Sequence, residues 1–186
     1  MKKIAIFASG NGSNFQAIID EIEKGNLIAE IATLVTDQKS CFAVERAHRH
    51  NIPVFSFDPK NYISKEEYEK EIAFYLIEKN VSLLVLAGYM RLIGDVLLKA
   101  FHNRIINIHP ALLPAFPGKN GIQQAYQYGV KIFGVTVHYV DAGVDTGKII
   151  AQECFKVEGN ETLAEIEQKI HAIEYGLYSK VIREIL

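Results

Sequence analysis

The chain has 186 residues, of which 49% are hydrophobic and 23% are charged, so its composition is that of a folded protein and excludes a disordered or low-complexity chain. Its 20 basic and 22 acidic residues leave a formal net charge of -2, without the basic excess that is typical of nucleic-acid-binding proteins. The length predicts one domain over residues 1–186, which can bury a core without disulfides or a structural metal.

The two cysteines and the absence of long apolar runs indicate the compartment. Cys41 and Cys154 have no CxxC neighbour, which favours a reducing cytoplasm over a disulfide-bonded or zinc-bound protein. Cys154 lies in an apolar strand-like run and is predicted to be buried, whereas Cys41 is expected to open a helix. The first apolar run, Ile4 to Ala8, is too short for a signal peptide, and no run reaches the length of about 18 residues that a membrane helix needs. We therefore expect a cytoplasmic protein that has no membrane partner.

Strand-like and helix-like patterns alternate in the first half of the chain. Short β-rich apolar runs predict strands, and apolar residues at helical spacing predict helices. Strands are expected at residues 4–8, 31–35, 53–57 and 81–86, and helices at residues 13–23, 42–50 and 65–79. This rhythm predicts an α/β fold with a doubly wound, mostly parallel sheet that carries helices on both faces.

The pattern changes in the second half. A short helix at 95–100 and a strand at 104–109 are followed by an apolar loop, residues 110–118, whose three prolines exclude a helix interior or a central strand. A helix is expected at 122–128, then two strands at 132–139 and 149–157, which the turn at 141–148 would make antiparallel. A long closing helix at 162–186 begins with Thr162 and Glu165, which are spaced as a capping box.

A glycine-rich turn joins the first predicted strand to the first predicted helix. Gly10 and Gly12 allow close backbone approach, and the following helix start is suited to a phosphate, with Ser13 or Asn14 expected to cap the helix. The turn does not match a dinucleotide fingerprint, because Phe15 stands where the third glycine is required. We favour a small-phosphate site over a purely structural turn.

Polar side chains at the end of the 104–109 strand suggest a reaction site. Asn107 and His109 lie two residues apart and so face the same side, close to where doubly wound sheets bind ligands. The later turn at 141–148 contains Asp141 and Asp145. A carboxylate near His109 would favour the charged form of the histidine. The alternatives are a hydrogen-bonded structural histidine with turn-forming aspartates, or, less favoured, a cation site that also uses His138.

Four ordered motifs give the chain a resemblance to a known family. They are residues 7–15 (FASGNGSNF), 86–91 (LAGYMR), 105–114 (IINIHPALLP) and 134–147 (GVTVHYVDAGVDTG). On these motifs the chain resembles the folate-dependent phosphoribosylglycinamide formyltransferases, and the resemblance covers nearly the whole chain. The resemblance implies a Rossmann-like catalytic domain that moves a formyl group from 10-formyltetrahydrofolate, as co-substrate, to the amine of a glycinamide ribonucleotide in purine biosynthesis. It implies no metal, small-molecule partners only, and a monomer or homodimer.

The resemblance also assigns residues. It implies that Asn107, His109 and Asp145 are the catalytic trio. The ribonucleotide would be held by Gly12, Ser13, Asn14 and Glu174. The folate would be held by Lys65, Met90, Arg91, Leu92, Ile93, Asn107, Asp141, Ala142, Gly143, Val144 and Asp145.

The chain departs from the family pattern at three positions outside the trio. Tyr175 stands where the family often has His, Ser179 where it often has Pro, and Lys148 where Pro often follows the Asp-Thr-Gly turn. Tyr175 weakens the assignment of nucleotide contacts to the last helix, where His171 is expected to be a surface residue.

Related and unrelated activities remain as rivals. Formyltetrahydrofolate hydrolases and methionyl-tRNA formyltransferases resemble this chain but carry an additional N-terminal or C-terminal domain, so we expect neither. In a nicotinamide-dependent oxidoreductase, Asp37 would hold the ribose, but Phe15 argues against that class. A non-catalytic nucleotide-binding module would leave the combination of Asn107, His109 and Asp145 unexplained.

Overall fold

The computed structural model describes all 186 residues. The strands are β1 (Lys2–Phe7), β2 (Ala29–Thr36), β3 (Val54–Ser56), β4 (Leu83–Leu86), β5 (Ile105–His109), β6 (Ile132–Tyr139) and β7 (Ile149–Lys156). The helices are α1 (Ser13–Glu23), α2 (Phe42–Arg49), α3 (Lys65–Glu78), α4 (Asp95–Ala100), α5 (Gly121–Tyr128) and α6 (Leu163–Ile185), with a 3-10 turn at Pro59–Asn61. None of the helices combines the length and apolar character needed to cross a bilayer.

The strands form one seven-stranded sheet in the order β3-β2-β1-β4-β5-β6-β7. β1 to β5 pair in parallel, β6 is antiparallel to β5, and β7 is antiparallel to β6. The predicted α/β fold, with its mostly parallel sheet and antiparallel strand near the C-terminus, is therefore confirmed.

Side chains from the two faces of the sheet pack into two separate cores. In β1, Ile4 and Ile6 belong to a cluster of 27 buried residues, while Ala5 and Phe7 belong to a cluster of 16 on the other face. The alternation follows from the two-residue period of a strand. α1, α2, α5 and α6 contribute to the larger core, and α3 and α4 contribute to the smaller one, so both faces are covered.

The closing helix is fixed at its start and near its end. Thr162 and Glu165 form the predicted capping box at the start of α6. The Tyr178 hydroxyl, which is fully buried, donates to the carbonyl oxygens of Leu86 (2.8 Å) and Ile106 (3.1 Å). These bonds satisfy a polar group that burial would otherwise leave unpaired, and they fasten α6 to β4 and β5.

Two local predictions are wrong. Cys154 is exposed, because β7 is the edge strand of the sheet and turns Phe155 inward toward the core, so that Cys154 faces away from it. Neither Ser13 nor Asn14 caps α1, because the helix begins one residue earlier than a side-chain cap requires and Gly12 occupies the cap position in a left-handed conformation.

The packing around Gly134 in β6 predicts a stability difference between two glycine variants. A Cβ at Gly134 would overlap the Glu153 carbonyl oxygen and come within 2.6 Å of Leu112, whereas a Cβ at Gly176 in α6 meets nothing within 4 Å. We expect Gly134→Ala to lower the free energy of unfolding by about 1–3 kcal/mol through overpacking. Gly176→Ala, the matched control, is expected to raise it by about 0.5–1 kcal/mol. Urea unfolding measures both, and equal effects of the two variants would contradict the close packing at β6.

Candidate active site

A cleft opens at the carboxyl ends of β4 and β5, where parallel strands present ligand sites. Asn107 and His109 share one side of β5, while the alternating residues Ile106 and Ile108 point to the other side, into the larger core. Twelve residues line the cleft, namely Leu86, Tyr89, Arg91, Leu92, Ile93, Asn107, His138, Val140, Asp141, Gly143, Val144 and Asp145. Residues of both predicted folate segments therefore line the same cleft as Asn107 and Asp145 of the predicted trio, while His109 lies behind this lining in contact with Asp145.

The trio residues lie within reach of one another although they are far apart in sequence. Asp145 Oδ2 lies 3.4 Å from His109 Nδ1, and Asp145 Oδ1 accepts a hydrogen bond from Asn107 Nδ2 at 3.4 Å. The side chain of His109 is 6% exposed and that of Asp145 is 13% exposed. The arrangement places a carboxylate beside an imidazole in a site with limited water, where their interaction is stronger than at the surface.

His138 extends this cluster from the neighbouring strand. Its Nδ1 donates to the Tyr139 carbonyl oxygen at 2.8 Å, and its Nε2 lies 3.3 Å from Asn107 Nδ2 and 3.5 Å from Asp145 Oδ1. Because Asp145 can only accept, the amide nitrogen of Asn107 faces these groups. The amide oxygen of Asn107 is thus left without a protein donor.

The proline-containing loop supplies a backbone acceptor to His109. Nε2 of His109 donates to the Phe116 carbonyl oxygen at 2.8 Å, and the Gly118 N–H donates to Asp145 Oδ2 at 2.8 Å. Since a carbonyl oxygen only accepts, Nε2 carries a hydrogen. The loop therefore provides the acceptor for the Nε2 hydrogen of His109.

The environment of Asp145 keeps its carboxyl group ionised. Burial by itself raises the pKa, but hydrogen bonds from His138 and the Gly118 N–H, together with the charge of His109, outweigh it and lower the pKa below the usual 3.8. Asp145 is therefore an acceptor and a counter-charge at neutral pH.

The turn between β6 and β7 shapes the position of Asp145. Asp141 Oδ1 accepts from the Gly143 N–H (3.0 Å) and from the Thr146 hydroxyl (2.7 Å), so this carboxylate closes the turn. Asp145 has a positive φ of 55°, a conformation that Asp tolerates better than most residues. Both aspartates line the cleft, but Asp141 closes the turn whereas Asp145 contacts Asn107 and His109.

The glycine-rich turn presents an uncapped helix start. Gly12 has a φ of 73°, and no side chain accepts from the first N–H groups of α1, which leaves them available to an anion. Asn14 Oδ1 is buried without a hydrogen-bond partner. The guanidinium of Arg46 donates to Asn11 O at 2.9 Å and to Asn11 Oδ1 at 3.0 Å, so α2 holds the turn in place and adds a positive charge.

The remaining predicted binding residues lie in the segment after β4, in α3 and in α6. Met90 and Leu92 are exposed and Ile93 is buried, and Leu92 and Ile93 line the cleft. Lys65 begins α3 with Nζ 4.0 Å from the buried carboxylate of Glu69. Glu174 is 4% exposed in α6.

The exposed His171 lies beside Glu174, with its Nδ1 2.7 Å from Glu174 Oε2. The hydrogen bond to Glu174, partly opposed by burial, raises the pKa of His171 above 6.5. His171 therefore places a basic group next to the predicted nucleotide-contacting acid.

A second groove, of about 370 Å³, lies between α1 and α6. Tyr175 and Ser179, two of the positions that depart from the family pattern, line it together with charged side chains. It contains no histidine and none of the predicted catalytic residues, so the cleft at β4 and β5 is the candidate active site. No group of three or more His, Cys, Asp or Glu side chains in the chain is arranged to hold a metal ion.

Sequence patterns missed some contacts of the site. Arg46 belongs to α2 and reaches across to the glycine-rich turn, a contact that the sequence patterns did not predict. Asp37 follows β2 and binds Arg91 through a 2.9 Å ion pair. For Asp37, the only sequence signal was an acidic residue at the end of a strand. The contact between the Phe116 carbonyl and His109 has no sequence signal, because every residue has a carbonyl group.

Comparisons with known proteins agree with this geometry. A family model described as formyl transferase matches residues 2–182. The phosphoribosylglycinamide formyltransferase of Bacillus subtilis (strain 168) is 51% identical over 186 residues, which is 100% of this chain and 95% of that protein.

Solved structures give the same result. The phosphoribosylglycinamide formyltransferase of Bacillus halodurans has a TM-score of 0.95 at 51% identity, covering 100% of this chain and 95% of that one. Glycinamide ribonucleotide transformylase 1 of Geobacillus kaustophilus has a TM-score of 0.97 at 50% identity, covering 100% and 99%. Because the family model spans nearly all residues and the relatives align along the whole chain, this protein belongs to the formyl transferase family.

Proposed function

We propose that this protein transfers the formyl group of 10-formyltetrahydrofolate to the glycinamide amine of 5'-phosphoribosylglycinamide, a step of purine biosynthesis. The observation that carries the proposal is the convergence of Asn107, His109 and Asp145 in one cleft. The names of the full-length relatives support the same reaction. On this proposal, residues 1–186 make up one formyltransferase catalytic domain that takes small-molecule substrates.

The two substrates would be held by different groups of residues. The uncapped start of α1 at Gly12, Ser13 and Asn14 suits the phosphate of the ribonucleotide, and Glu174 would accept from its sugar. The folate would lie along two segments and one basic residue, which are Met90 to Ile93, Asp141 to Asp145 and Lys65.

The transfer forms one C–N bond and breaks another. The amine nitrogen of the ribonucleotide attacks the formyl carbon, the bond from that carbon to the folate nitrogen breaks, the amine loses a proton and the folate nitrogen gains one. Negative charge develops on the formyl oxygen during the attack, so donors directed at that oxygen accelerate the reaction, by about 10²–10³ for each donor.

His109 is the best-placed donor. Its Nε2 hydrogen now points at the Phe116 carbonyl, and a substrate oxygen would take the place of that acceptor. Asp145, ionised beside Nδ1, would orient the ring and stabilise its protonated form, as a carboxylate does for the histidine of a catalytic triad. Asn107 directs its nitrogen at Asp145, which leaves its amide oxygen to accept from the attacking amine.

The surroundings of Asp37 disfavour the nicotinamide alternative. Both carboxylate oxygens of Asp37 are occupied, by Ser9 and by Arg91, so this acid is not free to bind a ribose. We further propose that the protein works in the cytoplasm without nucleic-acid partners, as a monomer or a homodimer, in keeping with its net charge of -2 and two free thiols.

The decisive experiment is an assay of formyl transfer with phosphoribosylglycinamide and 10-formyltetrahydrofolate. A parallel reaction without the nucleotide measures hydrolysis of the folate alone. Formyl transfer that depends on the nucleotide is expected, whereas hydrolysis without transfer would contradict the proposed reaction.

Substitutions in the trio should stop turnover without unfolding the protein. We expect His109→Ala and Asp145→Ala each to lower kcat by about 10²–10⁴, because proton transfer and oxygen stabilisation are both impaired. His48→Ala, at an exposed position of α2, is the control and should keep wild-type turnover. Near-wild-type kcat in both trio variants, with circular dichroism showing intact folds, would rule out the assigned roles.

A substitution at Gly12 should weaken binding of the nucleotide more than binding of the folate. A Cβ at Gly12 would come within 2.8 Å of the Ala43 Cβ and would have to adopt a positive φ, so Gly12→Ala must displace the turn. We expect a loss of nucleotide affinity of at least about tenfold, from a strain of about 1–2 kcal/mol, with less change in folate affinity. Gly10→Ala, which meets no neighbour within 4 Å, is expected to have a smaller effect. Calorimetry with each ligand measures these affinities, and an unchanged nucleotide affinity in Gly12→Ala would count against the site.

The pKa of Asp145 should depend on the two histidines. Carboxyl-carbon NMR is expected to give a midpoint below 3.8 in the wild type and a higher one in His138→Ala, where burial remains and a hydrogen-bond partner is lost. Since the pKa is lowered in the folded state, Asp145 contributes its full stabilisation above pH 3.8 and loses it as the pH falls through the lowered value. An identical midpoint in wild type and variant would contradict the proposed electrostatics.

A further inference from the structure

The Asp37 carboxylate is a nearly buried charge that the proposed reaction does not use. It follows β2, and its side chain is only 4% exposed. Oδ1 accepts from the Ser9 hydroxyl at 2.6 Å, and Oδ2 accepts from Arg91 Nε at 2.9 Å and from Gln38 Nε2 at 3.3 Å. Burial raises its pKa, but these hydrogen bonds and the charge of Arg91 outweigh burial and lower it, so the group stays ionised.

Ser9 connects this carboxylate to the backbone of the cleft. While its hydroxyl donates to Asp37, its oxygen accepts from the Met90 N–H at 3.0 Å. The Ser9 N–H in turn donates to the Gly88 carbonyl oxygen at 3.1 Å. Ser9 therefore ties the segment that follows β4 to the start of the glycine-rich turn.

We infer that Asp37 is a positioning residue that holds the Met90–Ile93 segment in the conformation that receives the folate. It acts through two neighbours, the Arg91 side chain and the Met90 backbone, and does not line the cleft itself. This inference rests on the proposed function for its ligand, but the contacts that carry it are present without one.

The charges explain why a buried acid is needed at this place. The Arg91 side chain lines the cleft and is 37% exposed, and Asp37 is the acid with which it forms an ion pair. Hydrogen bonds between ionised groups are stronger and more directional than neutral ones, so the pair orders both the side chain and the peptide that carries it. Met90 and Leu92, on either side of Arg91, are 63% and 58% exposed and have little packing of their own to order them.

Three variants separate the two contacts of Asp37, which are the ion pair with Arg91 and the hydrogen bond with Ser9. Asp37→Ala removes both contacts, whereas Asp37→Asn keeps an oxygen for Ser9 but removes the charge that pairs with Arg91. Ser9→Ala removes the hydrogen bonds of the Ser9 hydroxyl with Asp37 and with the Met90 N–H, and leaves the ion pair between Asp37 and Arg91 in place. Glu45→Gln, which breaks the exposed 3.5 Å pair with Arg49 on α2, is the matched control for loss of an ion pair. If Asp37→Ala does not fold, the other two substitutions still test the inference.

The first readout is hydrogen exchange in the ligand-free protein. We expect the Met90 amide to exchange about tenfold faster in Asp37→Ala and in Ser9→Ala, because its acceptor is lost or displaced. Asp37→Asn should change it less, and Glu45→Gln should not change it. Wild-type exchange at Met90 in both Asp37→Ala and Ser9→Ala would overturn the inference.

The second readout compares how much each variant weakens the binding of the folate and of the ribonucleotide. In Asp37→Ala the KM for 10-formyltetrahydrofolate and the calorimetric Kd of a folate analogue should rise about tenfold or more, with the KM for the ribonucleotide changed less than about twofold. Equal weakening of both ligands would show a merely structural role and overturn the inference. A wild-type protein that neither binds folate nor transfers formyl would refute the proposed function, while the exchange result would still decide whether Asp37 orders the segment.

Discussion

The pairing of β5 with the antiparallel strand β6 is the constraint on which the cleft depends. In this register Asn107 lies opposite His138 and His109 lies opposite Thr136. The chain then turns back from β6 into β7, and this turn brings Asp145 over the end of β5. Since side chains alternate along a strand, a shift of one residue in this register would turn Asn107 and His109 toward the larger core and separate them from Asp145.

The structure also resolves how a protein with a net charge of -2 could attract two anionic ligands. Positive charge is placed at the uncapped start of α1 and at the guanidinium of Arg46, which contacts the glycine-rich turn. Arg91 is different, because Asp37 neutralises it, so its place beside the cleft is better explained by ordering of the backbone than by attraction of charge.

The donors of the trio are occupied by protein acceptors when no ligand is bound. His109 donates to the Phe116 carbonyl and Asn107 donates to Asp145. These contacts avoid the cost of about 1–3 kcal/mol that an unsatisfied buried polar group carries. Through the contact at His109, the position of the 110–118 loop is linked to that of the imidazole on β5. In contrast, Asn14 Oδ1 has no such partner at the nucleotide end of the site.

Much of this protein was determined by its sequence alone. Apolar periodicity predicted the order and type of the strands and helices, because it reports which side of each element is buried, and the four motifs predicted the catalytic trio and the family. Local patterns failed where the outcome depended on distant neighbours. Cys154 is exposed because β7 became the edge of the sheet, and Gly12 replaced Ser13 or Asn14 at the start of α1. Only the tertiary structure decided that Arg46 supports the glycine-rich turn, that Asp37 pairs with Arg91, and that a backbone carbonyl meets His109. Each of these contacts joins residues from different elements, so it depends on strand order and on the path of the loops. The contact with His109 also uses a backbone carbonyl, which every residue has, so side-chain type could not predict it.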